Sequence, residues 1–363
     1  MSRVRKRSLH QGGDENIPSK KQEKSRRVLV TGAGGFIGHH LVKTLKARGY
    51  WVRGADIKSP EYEPSPADEF LLDDLRSFES CARAVRGVQD VYQLAADMGG
   101  IGYITAIHAT LSRNNILINA NMLEAARLAG VNRYLYTSSA CVYPSFLQKN
   151  EDVAPLKESD AIPADPEKGY GWEKLFAEQL VQYYHEEFRL DTRIVRFHNI
   201  YGPLGTYEGG REKAPAAICR KVAELEDGTT IEVWGDGAQT RSFCFVNDCV
   251  EGLVRIMDSE FTKPLNLGTN ELVTVNQLVD LVCRIARKDL IKRHDLSKPQ
   301  GVRGRNSDNE LLRKTLSWEP RTPLREGLKV TYSWIWSQLD RKGRAAPPVP
   351  DAVDPTSEKR ASR

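Results

Sequence analysis

Val28-Leu-Val-Thr31-Gly32-Ala-Gly-Gly35-Phe36-Ile37-Gly38 sets the frame in which the other residues of this chain are read. A short β-branched run enters a glycine turn, and the turn opens Phe36–Ala47, a segment of helical pattern. Gly32 permits the tight turn, Gly35 lets backbone N–H groups approach a pyrophosphate, and Gly38 allows close helix–strand packing. The helix N-terminus, at Phe36 and Ile37, attracts phosphates. Asp56 stands 18 residues after Gly38, at the end of the second strand, where a carboxylate can bind the adenosine ribose hydroxyls. That carboxylate would repel a 2′-phosphate, so NAD is expected rather than NADP, with Lys58 and Arg53 as the opposing charges nearby. Asp74 follows the third strand and is a candidate contact to the adenine edge.

Outward from this turn, short β-branched runs at 28–31, 51–55, 70–72, 91–94, 134–137 and 193–197 alternate with amphipathic segments of helical period. That alternation predicts an α/β fold, a Rossmann-type doubly wound parallel sheet. After about residue 200 it loosens, with loops at 201–210 and 234–237, which predicts a smaller C-terminal substrate-binding lobe. The expected organisation is a disordered basic tail (1–26), an NAD-binding domain (27–200), a mainly substrate-binding lobe with some return to the sheet (201–342) and a disordered tail (343–363).

The net charge of +5 is concentrated at one end, since residues 1–27 hold nine Lys/Arg against three acids. The remaining body is close to neutral and lacks the broad basic face that nucleic acid would need. Six cysteines (81, 141, 219, 244, 249, 283) are scattered, with no C-x-x-C pair and no clustering with His, so neither a zinc site nor a disulfide framework is expected. No apolar run approaches a membrane span and no signal-peptide core is present. A cytoplasmic location is the expectation.

Chemistry enters with Tyr170-Gly-Trp-Glu-Lys174, whose Tyr and Lys share one helix face at i, i+4. An ammonium beside a phenol stabilises the phenolate and lets it act as a base toward a sugar hydroxyl while hydride leaves for NAD. Thr137-Ser138-Ser139 at a strand end supplies the hydroxyl partner to the substrate oxygen, and Ala140-Cys141 follows it. A redox step at one carbon needs only Tyr, Lys and Ser. The added thiol of Cys141 suggests that C–H bonds beside the oxidised carbon are also broken, because a ketone acidifies its α-protons and a thiol near its ordinary pKa of about 8.5 is readily shifted toward thiolate.

These motifs resemble the extended short-chain dehydrogenase/reductase family, whose members modify nucleotide sugars, over roughly residues 27–340. Ala96-Asp-Met-Gly99-Gly100-Ile, Ser138-Ser-Ala-Cys141-Val-Tyr-Pro144, Tyr170 to Lys174, His198-Asn199-Ile-Tyr-Gly-Pro203 and Trp234-Gly-Asp-Gly-Ala-Gln239-Thr-Arg241-Ser-Phe243 are similar to the 3,5-epimerase branch that acts on GDP-mannose. The resemblance implies Cys141 as base and Lys213 as the acid on the opposite face of the sugar ring. The implied products are GDP-L-galactose, and GDP-L-gulose by inversion at C5 alone. Gly99 and Gly100 are candidates for close backbone approach to the sugar, Ser139, Ala140 and Asn199 for its oxygens, and Gln239, Arg241, Arg303 and Arg305 for the diphosphate. It further implies a homodimer through 116–128 and the Tyr170 helix, and a place in ascorbate biosynthesis. A GDP-keto-deoxysugar 3,5-epimerase/4-reductase, which pairs its Cys with a His acid and consumes NADPH, and a non-catalytic NAD-binding scaffold are the alternatives.

Overall fold

The structure is a computed structural model that describes residues 25–347. Most of the expected N-terminal tail, and the C-terminal tail from residue 348 on, lie outside the described residues. Residues 343–347 are packed rather than free: Arg344 pairs with Glu208 and Glu224, and the Ala346 N–H donates to the Ala223 carbonyl at 2.9 Å.

The first half runs β1 (Arg27–Thr31), α1 (Phe36–Ala47), β2 (Trp51–Asp56), β3 (Glu69–Leu72), α2 (Phe78–Val85), β4 (Asp90–Gln93), the single turn α3 (Ile101–Ile104), α4 (His108–Leu128), β5 (Arg133–Ser139), α5 (Tyr170–Phe188) and β6 (Asp191–Phe197). The second half adds β7 (Ile200–Tyr201), α6 (Ala214–Glu224), β8 (Thr230–Trp234), β9 (Thr240–Ser242), β10 (Cys244–Phe245), α7 (Val246–Asp258), β11 (Pro264–Leu267), β12 (Leu272–Thr274), α8 (Val275–Ala286), β13 (Ile291–Asp295), β14 (Gly304–Arg305), α9 (Glu310–Leu316) and α10 (Leu324–Asp340).

Seven strands pair in parallel in the order β11-β6-β5-β4-β1-β2-β3. The doubly wound sheet expected from the alternation is therefore present, and its seventh strand comes from residues 264–267. Side chains of β1 alternate between two apolar layers, as strand geometry requires. Val28 and Val30 join Leu41, Leu45, Val246 and Leu253 on one face; Leu29 joins Val91, Met122, Leu123 and Val181 on the other. Burial of β1 on both faces explains why it reads as a continuous apolar run.

Strand order reverses between β1 and β4, the switch point at which open α/β sheets bind ligands beyond their carboxyl ends. Thr31 ties that point together. Its Oγ1 donates to Gln93 Oε1 at 2.5 Å and accepts from the Leu94 and Ala95 N–H groups at 3.0 Å each. The later elements form smaller sheets: β12-β9-β14, β10-β7 and β13-β8.

Candidate active site

The cofactor cradle is made of backbone. Gly32 has φ +68°, and a Cβ at Gly38 would lie 2.1 Å from the Gly32 carbonyl oxygen, so only glycine lets α1 approach the turn. Gly35 is the N-cap of α1 with no side-chain cap, and the first turn of the helix, which begins with Phe36 and Ile37, carries no acid; its N–H groups are left to an anion. Asp56 ends β2 and accepts from the Gly34 and Lys58 N–H groups at 2.9 and 3.2 Å. Burial pushes its carboxyl up while these N–H groups pull it back. The cradle fits a dinucleotide diphosphate with a ribose at Asp56. Asp74 stays at the surface, held by Arg76, which also reaches Asn114.

At the carboxyl end of β5 the chain passes into a 3-10 turn, Ala140–Val142. Ser139 Oγ accepts from the Cys141 N–H at 3.2 Å, which fixes serine and cysteine as one unit. Helix α5 closes on this turn: a Cβ at Gly171 would lie 2.3 Å from the Cys141 carbonyl oxygen, and the Glu167 N–H donates to that same oxygen at 3.0 Å. Tyr170 and Cys141 are both buried, and the Tyr170 phenol faces the Ser139 hydroxyl. Lys174 Nζ lies 5.6 Å from the Tyr170 ring centroid and donates to the Thr137 carbonyl at 3.2 Å.

Burial dominates the electrostatics. It pushes the Tyr170 phenol well above its ordinary range, with Glu173 and Cys141 adding to the rise. It pushes Lys174 down, against the pull of Glu173 and Glu178. Glu173 is buried 4.0 Å from Lys174 Nζ and accepts from Asn115 at 2.8 Å. The sequence reading expected the ammonium alone to favour a phenolate; the protein instead surrounds the pair with a low dielectric and a neighbouring carboxylate.

Around Cys141 the structure gathers residues from distant segments. Register of β14 with β9 sets Arg305 opposite Arg241. Arg305 donates to Cys141 Sγ at 3.4 Å and to Gln148 Oε1 at 2.6 Å. Arg241 donates only to carbonyls, those of Thr240, Val302 and Gln300, and burial and Arg305 push it down to about 9. Two neighbouring guanidinium groups with no carboxylate on either call for an anionic ligand. Arg303 differs, because Glu151 and Asp236 both pair with it at the surface and consume its charge; the expectation that it meets a diphosphate is not supported by its contacts.

Lys213 caps the start of α6 within the field of Cys141, and burial pushes its ammonium down while Cys141 and Cys249 pull it up. Gly100 serves this loop: its N–H donates to the Arg211 carbonyl at 3.0 Å, and a Cβ would lie 2.5 Å from the Glu212 carbonyl oxygen. The Arg211 guanidinium stacks 3.8 Å over Tyr103, and a Cβ at Gly99 would meet that same tyrosine. Asn199 takes φ +37° and donates to the Ser242 carbonyl; Gln239 donates to the Trp234 carbonyl and leaves a buried Oε1 without a partner. Glu167, Glu173 and the Arg211–Tyr103 latch were not found from sequence. Only Pro166-Glu167, an acid three residues before Tyr170, offered a signal.

A Tyr/Lys pair facing a strand-end serine at a dinucleotide switch point is built to take and return the hydroxyl proton of a carbinol whose hydride a bound dinucleotide would accept and return. The chain belongs to the NAD dependent epimerase/dehydratase family, whose model matches residues 28–268. It is 48% identical to GDP-mannose 3,5-epimerase of Arabidopsis thaliana, over 87% of this chain and 84% of that protein. Among solved structures it resembles the UDP-glucose 4-epimerase of Thermotoga maritima with UDP-glucose (TM-score 0.77, 26% identity, 86% of this chain and 99% of that one). It also resembles the UDP-glucuronic acid 4-epimerase of Bacillus cereus in complex with UDP-glucuronic acid and NAD (TM-score 0.73, 26% identity, 86% and 99%).

Proposed function

We propose that this protein epimerises GDP-D-mannose at C3 and C5 to GDP-L-galactose, and at C5 alone to GDP-L-gulose. The observation that carries the reading is Cys141, locked to Ser139 in the turn that faces Tyr170, bonded by Arg305 and within the field of Lys213. NAD, held by the glycine turn and Asp56, would supply a hydride acceptor and donor for C4. Tyr170 takes the C4 hydroxyl proton, Ser139 holds that oxygen, and Lys174 orients the phenol from the Thr137 carbonyl. The C4 ketone acidifies C3–H and C5–H. Cys141 removes such a proton to leave an enediolate, and Lys213 returns one from the opposite face of the ring. Arg241 and Arg305 meet the diphosphate.

The reductase alternative needs a histidine acid. His198 is buried, hydrogen-bonded to Asn266 at 3.0 Å and pushed down to about 3 by burial, so it stays neutral. GDP-mannose in deuterated water tests the reading: deuterium should enter at C3 and C5 with no accumulation of NADH. Cys141→Ala should stop the exchange and leave NAD bound. No incorporation by the folded, NAD-loaded protein would sink the proposal.

Exposed Ile116, Trp172, Phe176 and Tyr183 on α4 and α5 support a homodimer through these helices; a monomer mass by light scattering would overturn it. Six free, buried cysteines support a cytoplasmic location, which fractionation of cells would check. GDP-L-galactose would supply ascorbate biosynthesis, so loss of the protein should lower ascorbate.

A further inference from the structure

Cys141 packs with Ile104 of α3 and Leu111 of α4 in an apolar cluster and also lies in the field of several charged groups. Arg305 on β14, Arg241 on β9, Lys174 on α5 and Lys213 before α6 are cations in its field. Tyr170 and Ser139 are its neutral neighbours. Two carboxylates oppose the cations: Glu173, 4.0 Å from Lys174 Nζ, and Glu167, which acts on the sulfur itself. Glu167 lies in the loop that folds back under the turn, fixed by its N–H to the Cys141 carbonyl at 3.0 Å, with its side chain beside the sulfur. Its Oε1 is buried and has no hydrogen-bond partner among the described residues. A carboxylate oxygen kept in that position has the thiol proton as its natural donor.

We propose that Glu167 is a positioning residue that governs the protonation of Cys141, holding its sulfur as a thiol against the four surrounding cations. The inference rests on the reading of Cys141 as the proton-transfer group. Burial and Glu167 act together to keep the thiol protonated, and Arg305 acts against them. Removing the carboxylate that acts on the sulfur leaves Arg305 unopposed there, and a charge within a few ångströms shifts an ionisation by about 1–3 pH units.

The test is a pH titration of the thiolate ultraviolet absorbance of the NAD-loaded enzyme, with Cys141→Ala as the blank for the other five thiols. Glu167→Gln and Glu167→Ala should each lower the midpoint by about 1–3 pH units, which is ten- to a thousand-fold more thiolate at a given pH. Glu167→Asp keeps the charge and should stay near the wild-type midpoint. A midpoint that is unmoved or raised in both neutral variants overturns the proposal, and so does one that falls equally in Glu167→Asp. The rising limb of the solvent-exchange rate against pH should move with the midpoint. If wild type shows no exchange at all, the catalytic reading of Cys141 fails while the absorbance titration still decides the role of Glu167.

Discussion

Glu178→Gln tests how the two halves of the active site are held in register. Glu178 lies on α5 two turns beyond Tyr170, and Arg196 lies on β6; their side chains are 0% and 4% exposed. The contact is a two-pronged fork, with Nη2 at 2.7 Å from Oε2 and Nε at 2.9 Å from Oε1. The third arm of Arg196 donates to the Tyr143 hydroxyl at 3.2 Å and the Glu158 carbonyl at 2.8 Å. Burial works against the guanidinium charge, and Glu178 and Tyr143 more than offset it. Tyr143 is two residues past Cys141, so this cluster joins the helix that carries Tyr170 and Lys174 to the turn that carries the thiol. Gln keeps the shape and removes the charge, leaving a buried cation without its partner, which costs about 3–5 kcal/mol. At roughly 2 °C per kcal/mol for a chain of this size, the thermal midpoint should fall by about 6–10 °C. Calorimetry and urea unfolding of the NAD-loaded protein measure both quantities. Glu178→Leu with Arg196→Met removes both charges and should lose much less than Glu178→Gln alone. A Glu178→Gln loss under about 1 kcal/mol would refute the reasoning, because the pair would then be as dispensable as a surface salt bridge.

Gly38→Ala should leave the purified protein without NAD, since its Cβ would stand 2.1 Å from the Gly32 carbonyl oxygen and force α1 away from the turn; extraction of cofactor at the wild-type ratio would contradict this. His198 gives a pH dependence of stability. Its folded pKa, about 3, lies below the unfolded value near 6.5, so its contribution is fully present above about pH 6.5 and is lost as pH falls toward 3. The full span is about 5 kcal/mol. Urea midpoints across that window should fall less steeply in His198→Asn, and equal slopes would remove His198 from the acid response.

What the sequence made legible is what the chain decides locally. The glycine turn, the boundaries of α1 and the i, i+4 pairing of Tyr170 with Lys174 depend on residues within a turn or two of one another. The charge state of the site does not. Arg241 and Arg305 are 64 positions apart and become neighbours only through the register of β9 with β14. Arg303, two residues from Arg305 and read as its equal, stands just before β14 and is neutralised by Glu151 and Asp236. The approach of the 211–212 backbone to Gly100 is likewise set by residues more than a hundred positions away. Burial, which no spacing rule reports, then sets the direction in which Tyr170, Lys174, Cys141 and Lys213 ionise.

That last effect bears on how one site could invert two carbons. Thiolate with ammonium, and thiol with amine, hold the same number of protons, so Cys141 and Lys213 can exchange one form for the other without any proton from outside. Burial favours the neutral form, because it pushes the thiol up and the ammonium down. On the proposed mechanism an inversion begins from thiolate and ammonium and ends as thiol and amine, the direction in which burial shifts both groups. A second inversion at the other carbon then requires the pair to be recharged while the keto sugar is still held. Arg305, 3.4 Å from the sulfur, favours recharging, and Glu167 opposes it. The balance between those two side chains, rather than the identity of the acid and base, is therefore where the choice between one inversion and two would be made.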